Sequence, residues 1–280
     1  MEKMERKGKV CLITGATSGI GKETAKSMAA GGFTLVLLVR DSMKGDLLAE
    51  ELKALYPEAT VDIMHCNLAS FASIRGFAGK FKSRYNRLDV LINNAGVWET
   101  KRNLSEDGIE MNFAVNHLAP FLLTNLLIDV MKSSAPARII NVASEAHKYG
   151  SIYFDDPEFE KKYSMVKSYA QSKLANILIT KKLSQQLRGS GVTVNCLHPG
   201  FVKTRLFEKM PRVITGLLTP FMISAERGSQ TTLFLATSPE VGGVSGEYFV
   251  KSKSVQPRPE ALRQDIADRL WELSMNYTGL

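Results

Sequence analysis

The sequence predicts an α/β domain in which helices cover both faces of a central parallel sheet of about seven strands. Short apolar, β-branched segments alternate with amphipathic helical segments along the 280 residues, and strands joined by helices imply the crossover connections of a parallel sheet. Several strand segments, such as residues 35–39, are apolar at every position, as expected of strands that are covered on both faces. Together these observations predict a single doubly wound domain.

Each predicted element is assigned from its length and periodicity. Seven segments have the length and β-branched composition of buried strands, and six segments between them have the apolar spacing of helices. No internal repeat, low-complexity run or linker interrupts this order, so residues 1–280 are predicted to form one domain. The predicted strands are Val10–Thr14, Thr34–Val39, Thr60–His65, Leu88–Asn93, Ala137–Ala143, Thr193–Leu197 and Gly246–Val250. The predicted helices lie near Ile20–Ala30, Lys44–Leu55, Phe71–Tyr85, Glu110–Ser133, Tyr169–Leu187 and Ala225–Ala236.

Two long segments break the alternation. Residues 148–166 are rich in aromatic and charged side chains, and residues 201–223 mix apolar side chains with lysine and arginine. Loops longer than about 12–15 residues are usually functional or disordered, so both segments are predicted to be insertions that contact a substrate. An alternative for the second segment is a helix packed on the core. Its apolar residues, which fit either role, are Phe207, Met210, Ile214, Leu217, Leu218 and Phe221.

The composition excludes several classes of protein. Hydrophobic residues make up 44% and charged residues 23% of the chain, which is ordinary for a globular domain, and no uninterrupted apolar run approaches the roughly 18 residues of a membrane span. The charged start, residues 1–9, predicts neither a signal peptide nor an anchor. Cys11, Cys66 and Cys196 lie in or beside predicted buried strands, which favours free thiols in a reducing, cytoplasmic compartment. No cysteine–histidine cluster has the spacing of metal ligands.

The net charge of +8 is compatible with an anionic partner. The positive charges are spread along the chain and no nucleic-acid-binding motif accompanies them, so nucleic acid is not predicted as a partner. The charge is therefore explained by an anionic cofactor, or at most by a weak association with an acidic membrane surface.

A glycine-rich turn follows the first predicted strand and opens the first predicted helix. Residues 14–21 are TGATSGIG, so Gly15, Gly19 and Gly21 have the spacing G-x-x-x-G-x-G. Gly15 allows a tight turn, Gly19 lets the backbone approach a pyrophosphate, and Gly21 lets the helix pack closely on the strand. The phosphates would lie at the positive N-terminal end of that helix. Within a strand–turn–helix unit, this pattern predicts a Rossmann-type dinucleotide site.

The glycine spacing resembles that of the short-chain dehydrogenase/reductase family, and further motifs of that family follow in order. They are Asn93-Asn94-Ala95-Gly96 after the fourth strand, Asn116, Ser144 after the fifth strand, Tyr169-x-x-x-Lys173, and HPGFVKT at residues 198–204 after the sixth strand. The resemblance extends from residue 9 to residue 250. It implies an oxidoreductase that moves a hydride between a nicotinamide cofactor and a carbonyl or alcohol carbon.

The end of the second strand favours NADP(H) over NAD(H). An acidic residue there would bind the ribose 2′-hydroxyl and repel a 2′-phosphate, whereas this chain has Val39 followed by Arg40. A guanidinium can bind a phosphate bidentately; the alternative is that Arg40 pairs with Asp41. By resemblance, Asn67 stands beside the adenine, where the family usually has aspartate. The resemblance places the cofactor against Gly15, Thr17, Ser18, Gly19, Ile20, Gly21, Arg40, Asn67, Asn94, Ala95, Gly96, Tyr169, Lys173, Pro199, Gly200, Val202 and Thr204.

Tyr169 and Lys173 are four residues apart, so they share one face of a helix. A phenol with a pKa of about 10 is a poor acid–base group at neutral pH, and a neighbouring ammonium, together with an oxidised nicotinamide, favours phenolate and lowers that pKa. By resemblance, Tyr169 exchanges a proton with the substrate oxygen, Ser144 orients that oxygen, and Lys173 holds the nicotinamide ribose. The resemblance also implies that Asn116 stabilises a local helix distortion and holds a water in the proton relay, and that Thr204 binds the carboxamide.

Two motifs resemble the retinol dehydrogenase-like branch of the family: VASEAH at residues 142–147 and SKLAN at residues 172–176. That branch typically acts on retinoids and other lipophilic aldehydes or alcohols, so the expected reaction is the NADP(H)-dependent reduction of a lipophilic carbonyl. Ala143 departs from the serine that many members have before Ser144. Two alternatives remain, a cofactor-binding regulatory protein without turnover and a nicotinamide-dependent double-bond reductase. Members usually pair through the helices near Glu110–Ser133 and Tyr169–Leu187, which makes a homodimer an expectation.

Overall fold

The computed structural model describes residues 7–202 and 222–280, which form a single α/β domain on one eight-stranded sheet. The strands are β1 (Val10–Thr14), β2 (Thr34–Val39), β3 (Val61–His65), β4 (Val90–Asn93), β5 (Ala137–Val142), β6 (Val192–His198), β7 (Tyr248–Val250) and β8 (Lys253–Ser254). Their spatial order is β3-β2-β1-β4-β5-β6-β7-β8. Strands β1–β7 run parallel and β8 runs antiparallel to β7. The order reverses between β1 and β4, and such a switch point opens a crevice beyond the carboxyl ends of the strands.

Helices cover both faces of the sheet, as predicted. They are α1 (Gly19–Ala30), α2 (Ser42–Leu55), α3 (Phe71–Arg84), α4 (Met111–Phe113), α5 (Ala119–Ser133), α6 (Met165–Gln186), α7 (Ala225–Thr237) and α8 (Gln264–Thr278). Because strand side chains alternate between faces, Cys11 and Ile13 of β1 join the core beneath α1, α2 and α7. Val10 and Leu12 join the opposite core, beneath α3, α5 and α6.

The C-terminal helix α8 covers a third apolar cluster, which lies beside α6 and the start of the α4–α5 helical stretch. Trp271 of α8 packs edge-on against Phe121 of α5, with 4.9 Å between ring centroids. Asp268 forms an ion pair of 2.6 Å with Lys182 of α6. Helix α8 therefore occupies part of the surface of the two helices through which a homodimer was expected.

Two observed elements, α8 and β8, were not predicted. The fully buried positions of α8 are Ala267, Leu270, Ser274 and Thr278. Partly buried apolar residues, among them Ile266, Trp271 and Tyr277, pack around them, so the helix is amphipathic and its pattern was overlooked. Strand β8 has two residues and follows a turn in which Lys251 and Ser252 have positive φ angles of 50° and 60°. Hairpin turns of this kind usually contain asparagine and glycine, so this turn lacks the usual sequence signal.

The predicted helix at 110–133 is interrupted by a π-helical turn, Ala114–Leu118, between α4 and α5. The stretch Met111–Ser133 is long and apolar enough to cross a membrane by length and composition. The sequence prediction did not single out this stretch, because polar residues interrupt its apolar run. Of its most apolar window, 67% is buried inside the domain, as in the core helix of a globular protein.

The first predicted insertion packs onto α6, which begins at Met165, one turn before its predicted start. Gln171 of α6 accepts a hydrogen bond from the Tyr153 amide (2.9 Å) and donates one to the Pro157 carbonyl (2.8 Å). The insertion is thus held against the helix that bears Tyr169. Of the second predicted insertion, residues 203–221 lie outside the described residues, and with them Phe207, Met210, Ile214, Leu217, Leu218 and Phe221.

Candidate active site

The turn between β1 and α1, residues 14–21, is called the glycine turn below. Gly15 has a φ of +67°, and a Cβ there would lie 2.8 Å from Ala95 Cα. A Cβ on Gly21 would overlap the carbonyl oxygen of Gly15. Gly19 also has a positive φ, of 54°. Gly15 and Gly21 therefore leave no room for a Cβ, and the positive φ angles of Gly15 and Gly19 favour glycine.

Side-chain hydrogen bonds tie the glycine turn to the end of β4. Thr14 Oγ1 accepts the amide hydrogens of Asn94 and Ala95, both at 3.0 Å. The Asn94 side-chain amide donates to the carbonyl oxygens of Thr14 (2.9 Å) and Gly15 (3.1 Å). These bonds fix the switch point between β1 and β4, where an α/β sheet binds its ligand.

The glycine turn fits the pyrophosphate of a dinucleotide. Ser18 is the N-cap residue of α1, and its side chain forms no capping hydrogen bond. Thr17, Ser18, Gly19 and Ile20 are half-buried rather than enclosed. The amides of the first helical turn and the unused Ser18 hydroxyl are groups that bind an anion at a helix N-terminus.

The end of β2 places Arg40 at the surface, and the ion pairs among residues 7–202 and 222–280 do not include it. Val39 is buried and Arg40 is exposed. Asp41 accepts a hydrogen bond from the Lys44 amide (3.2 Å) and pairs with the Lys44 ammonium (2.8 Å), so it caps α2. The alternative Arg40–Asp41 pair is therefore not formed in this structure, and the Asp41 carboxylate is engaged elsewhere.

The side chain of Asn67, which the resemblance places beside the adenine, forms hydrogen bonds that order the loop after β3. Its side-chain oxygen accepts the Ala69 amide (3.1 Å), and its side-chain nitrogen donates to Glu106 (2.7 Å). In that position Asn67 orders the segment after β3.

The segment after β6 reaches the first turn of α1. Pro199 and Gly200 are half-buried, and Gly200 has a φ of +94°. Val202 is buried, and the Cβ that Gly228 lacks would lie 2.6 Å from Val202 and 3.3 Å from Ile20. The two segments predicted to bind the cofactor therefore meet at Gly228. Thr204 lies outside the described residues.

The predicted catalytic side chains of Tyr169, Ser144 and Lys173 lie together at the carboxyl end of β5. The Ser144 side chain lies close enough to the Tyr169 phenol to lower the pKa of that phenol. Lys173 Nζ donates to the carbonyl oxygen of Val142 (3.0 Å) and lies 5.6 Å from the centre of the Tyr169 ring. A Cβ on Gly96 would lie 3.5 Å from Lys173 Nζ, so residues 94–96 connect this group to the glycine turn.

Asn116 lies within the π-helical turn, where the resemblance placed a helix distortion. Its side-chain oxygen accepts the Val97 amide (2.7 Å), and its nitrogen donates to the Val97 carbonyl (2.9 Å) and to Ser172 Oγ (3.0 Å). The side chain thus clamps the loop after β4 to α6, next to Lys173. Single π-helical turns within α-helices are frequently found at functional sites.

Burial is the main cause of the pKa shifts of Tyr169 and Lys173, the two titratable groups predicted to be catalytic. It raises the pKa of Tyr169 to about 12, against a smaller opposing effect of the Ser144 side chain. It lowers the pKa of Lys173 to about 8. The direction for Tyr169 is opposite to the one expected from a lysine neighbour alone, because loss of water around the phenol disfavours the phenolate. At neutral pH the phenol keeps its proton.

Two residues that the sequence did not single out complete the site. Trp98 stacks on the Tyr169 ring, with 4.5 Å between centroids and 10° between planes. Asn112 is fully buried and bonds the Glu99 amide (3.2 Å) and Ser168 Oγ (2.9 Å), so it joins the loop after β4 to α6. An aromatic residue two positions after the Asn-Asn-Ala-Gly motif and an asparagine in an apolar helical stretch were the available signals.

Comparisons with known proteins agree with this geometry. The family model for short chain dehydrogenases matches residues 9–213. The chain is 43% identical to retinol dehydrogenase 13 of Homo sapiens, over 98% of this chain and 85% of that protein. A solved structure of a protein from Mycobacterium Paratuberculosis has a TM-score of 0.80 at 29% identity and covers 100% of this chain and 97% of its own. YwfH, an NADPH dependent reductase involved in bacilysin biosynthesis, has a TM-score of 0.70 at 25% identity over 86% of this chain and 95% of its own.

The match over most of the chain, together with the glycine turn and the grouped tyrosine, lysine and serine, establishes a nicotinamide-dependent oxidoreductase. The chain belongs to the short-chain dehydrogenase family and, within it, to the retinol dehydrogenase-like branch.

Proposed function

We propose that the protein is an NADP(H)-dependent reductase of lipophilic aldehydes or ketones of the retinal type. The observation that carries this proposal is the grouping of Tyr169 with Lys173, whose Nζ lies 5.6 Å from the centre of the phenol ring, and with Ser144, which acts on the pKa of that phenol. A protonated phenol beside a second hydroxyl is the arrangement that a carbonyl oxygen needs when it becomes an alcohol.

Each catalytic side chain has one task in this proposal. Ser144 donates a hydrogen bond that orients the substrate oxygen, and Tyr169 gives that oxygen its proton. Lys173, anchored at Val142, holds the ribose hydroxyls beside Tyr169, and Asn116 keeps the loop after β4 against α6. A bound nicotinamide supplies the hydride, and the side chains around it position the substrate and deliver the proton.

The preference for NADP(H) rests on the charges at the end of β2. The exposed Arg40 follows the last strand residue, and Asp41, the next residue in the chain, is paired with Lys44. The other nearby lysine, Lys22, forms an ion pair of 2.5 Å with Glu51, so it is already occupied. Arg40 is therefore the group that binds the 2′-phosphate, through the planar donors of its guanidinium.

The lipophilic substrate class is supported by the relatives and by the walls of the site. The human relative is named a retinol dehydrogenase and aligns over nearly the whole of this chain. The phenol of Tyr169 is flanked by the flat indole of Trp98, an apolar surface of the kind that lines sites for hydrophobic ligands.

The proposal is tested with purified protein, NADPH or NADH, and a panel of aldehydes that includes retinal and short polar aldehydes. We expect absorbance loss with NADPH that is faster than with NADH, fastest with the lipophilic aldehydes, and lowered at least a thousand-fold in Tyr169→Phe. Binding of NADPH without reduction of any carbonyl would contradict the proposed reaction. A preference for NADH would contradict only the proposed role of Arg40 and would leave the proposed reaction standing.

A further inference from the structure

An indole–phenol stack lies at the start of α6. The ring of Trp98 is nearly parallel to that of Tyr169, with 10° between the planes and 4.5 Å between centroids. Tyr169 is only 6% exposed, whereas Trp98 is half-buried. One face of the phenol is therefore covered by the indole rather than by water.

Trp98 is itself held at three points. Its indole nitrogen donates to the carbonyl oxygen of Met165, the first residue of α6 (3.2 Å). On one side of it in the chain, the Val97 amide and carbonyl are both bonded by Asn116. On the other side, the Glu99 amide donates to Asn112 (3.2 Å). Backbone clamps before and after the residue, and an anchor at the end of its side chain, leave the indole plane little freedom.

We propose that Trp98 is a positioning residue for the proton donor, since its indole fixes the plane of the Tyr169 phenol between Trp98 and Lys173. The inference rests on the proposed function, in which Tyr169 protonates the substrate oxygen. A tyrosine side chain has two rotatable torsions, and packing against a parallel ring restricts both.

The indole has a second effect, which follows from the first. Covering one face of the phenol contributes to the burial that raises the pKa of Tyr169 to about 12. Removing the indole admits water to that face, so the pKa of Tyr169 moves back toward the ordinary value of about 10. A residue with a purely structural role elsewhere in the domain would not change this titration.

Substitution of Trp98 is compared with substitution of the other tryptophan in the chain. Trp98→Ala is expected to lower kcat for aldehyde reduction about 10- to 100-fold, because displacement of a reacting group by about 1 Å has an effect of that size. Its KM for NADPH is expected to change less than about threefold, since Trp98 lies on the side of Tyr169 rather than in the glycine turn. Trp98→Phe keeps the stack without the anchor at Met165, and it is expected to lose about threefold to tenfold. Trp271→Phe, in α8, is the matched control and keeps kcat within about threefold.

The pH dependence gives the decisive measurement. With ¹³Cζ-labelled tyrosine, the Tyr169 resonance is assigned by its absence in Tyr169→Phe and followed up to pH 10.5. We expect it to stay in the phenol form in the wild type and in Trp271→Phe, and to begin titrating in Trp98→Ala. In kinetics, the alkaline fall of kcat/KM moves to lower pH by about one unit in Trp98→Ala, because the proton donor is lost earlier.

The two readouts separate this inference from the proposed function. If the wild type reduces aldehydes and Trp98→Ala has the kcat and titration of Trp271→Phe, the positioning role is wrong. If the wild type binds NADPH but reduces no carbonyl, the proposed function fails, and the Tyr169 titration alone decides on Trp98. An unchanged resonance in a folded Trp98→Ala protein, checked by circular dichroism, overturns the inference in either case.

Discussion

The glycine turn and the C-terminal helix α8 both support the catalytic residues, but by different kinds of interaction. The glycine turn depends on the absence of side chains: a Cβ on Gly15 or Gly21 would meet backbone atoms of the same site. Helix α8 depends on side chains that find distant partners, such as the hydrogen bond of 2.8 Å between Ser274 and His117. A steric requirement is visible in a short sequence motif, whereas a pairing across 157 positions is not.

The bond between α8 and the π-helical turn shows how such a pairing works. The single hydroxyl proton of Ser274 is donated to the Leu270 carbonyl at 2.7 Å, so His117 Nε2 must be the donor toward Ser274. Burial lowers the pKa of His117 to about 3, which keeps the ring neutral in this role. Asn116 is the next residue in the chain, so α8 stabilises the turn that holds it.

The largest effect is expected at the glycine turn. Gly21→Ala places a methyl group on the carbonyl oxygen of Gly15, so the turn must open and the amides that face the pyrophosphate separate. We expect the affinity for NADPH to fall about a thousand-fold, equivalent to about 4 kcal/mol. Isothermal titration calorimetry with NADPH measures the loss.

Gly76 of α3 is the matched control for Gly21, because a Cβ there meets nothing within 4 Å. Gly76→Ala should leave NADPH affinity unchanged and raise the free energy of unfolding by about 0.5–1 kcal/mol, since glycine is a poor helix former. Equal NADPH affinities for the two variants would show that the glycine turn is not the cofactor site.

The next largest effect is expected in α8, on the free energy of unfolding rather than on the affinity for the cofactor. Leu270 is fully buried, and Leu270→Ala is expected to lower the free energy of unfolding by about 3 kcal/mol through lost contacts and a cavity. The expected change in NADPH affinity is less than about threefold, because the glycine turn is not in contact with this cluster. Urea denaturation at pH 7 measures the free energy of unfolding.

Leu262→Ala is the control, at a position that is 39% exposed. It should lower the free energy of unfolding by less than about 0.5 kcal/mol. A similar loss in Leu262→Ala and Leu270→Ala would mean that α8 is not anchored through Leu270.

In contrast to the buried Leu270, the buried Lys173, which is predicted to be catalytic, lowers the free energy of unfolding. Because burial lowers the pKa of Lys173 from 10.5 to about 8, the charged form costs about 3 kcal/mol at pH 7. Lys173→Met removes that cost and loses one hydrogen bond to Val142, worth about 1 kcal/mol. We therefore expect an inactive variant whose free energy of unfolding at pH 7 is higher by about 2 kcal/mol.

The difference in the free energy of unfolding between Lys173→Met and the wild type is expected to decrease as the pH rises. Between pH 8 and 10.5 the unfolded wild type binds the Lys173 proton and the folded wild type does not, so wild-type stability rises with pH. The advantage of Lys173→Met should accordingly shrink over this range. Lys182→Met, which removes a surface ion pair with Asp268, is the control and should show no such advantage. A Lys173→Met protein that is less stable than the wild type at pH 7 would contradict the cost assigned to the buried charge.

These two regions also mark what the sequence could and could not predict. The parallel sheet, the glycine turn and the grouping of Tyr169 with Lys173 follow from local patterns and a family resemblance. The stack of Trp98 on Tyr169 could not be predicted, because it depends on the angle at which the loop after β4 enters the site. The raised pKa of Tyr169 was also missed, since spacing shows a neighbouring charge but does not show the extent of burial. The amphipathic spacing of α8 is visible in Ile266, Leu270 and Tyr277 and was overlooked, whereas the pairing of its Ser274 with His117 could not be predicted from local sequence.

The smallest effect is expected at Arg40, which lies at the edge of the glycine-turn region and is specified by a single charged side chain. Arg40→Asp replaces a guanidinium with a carboxylate that repels the 2′-phosphate and accepts hydrogen bonds from a 2′-hydroxyl. We expect NADPH affinity to fall about tenfold, equivalent to about 1.4 kcal/mol, while NADH affinity rises. Lys53→Asp, an equal charge change at an exposed position of α2, should weaken NADPH binding by less than about twofold through the general field. If the two variants change the ratio of NADPH to NADH affinity equally, the preference belongs to the overall charge of this face. If Arg40→Asp alone inverts the ratio, the preference belongs to one side chain, in contrast to the several glycines that shape the turn.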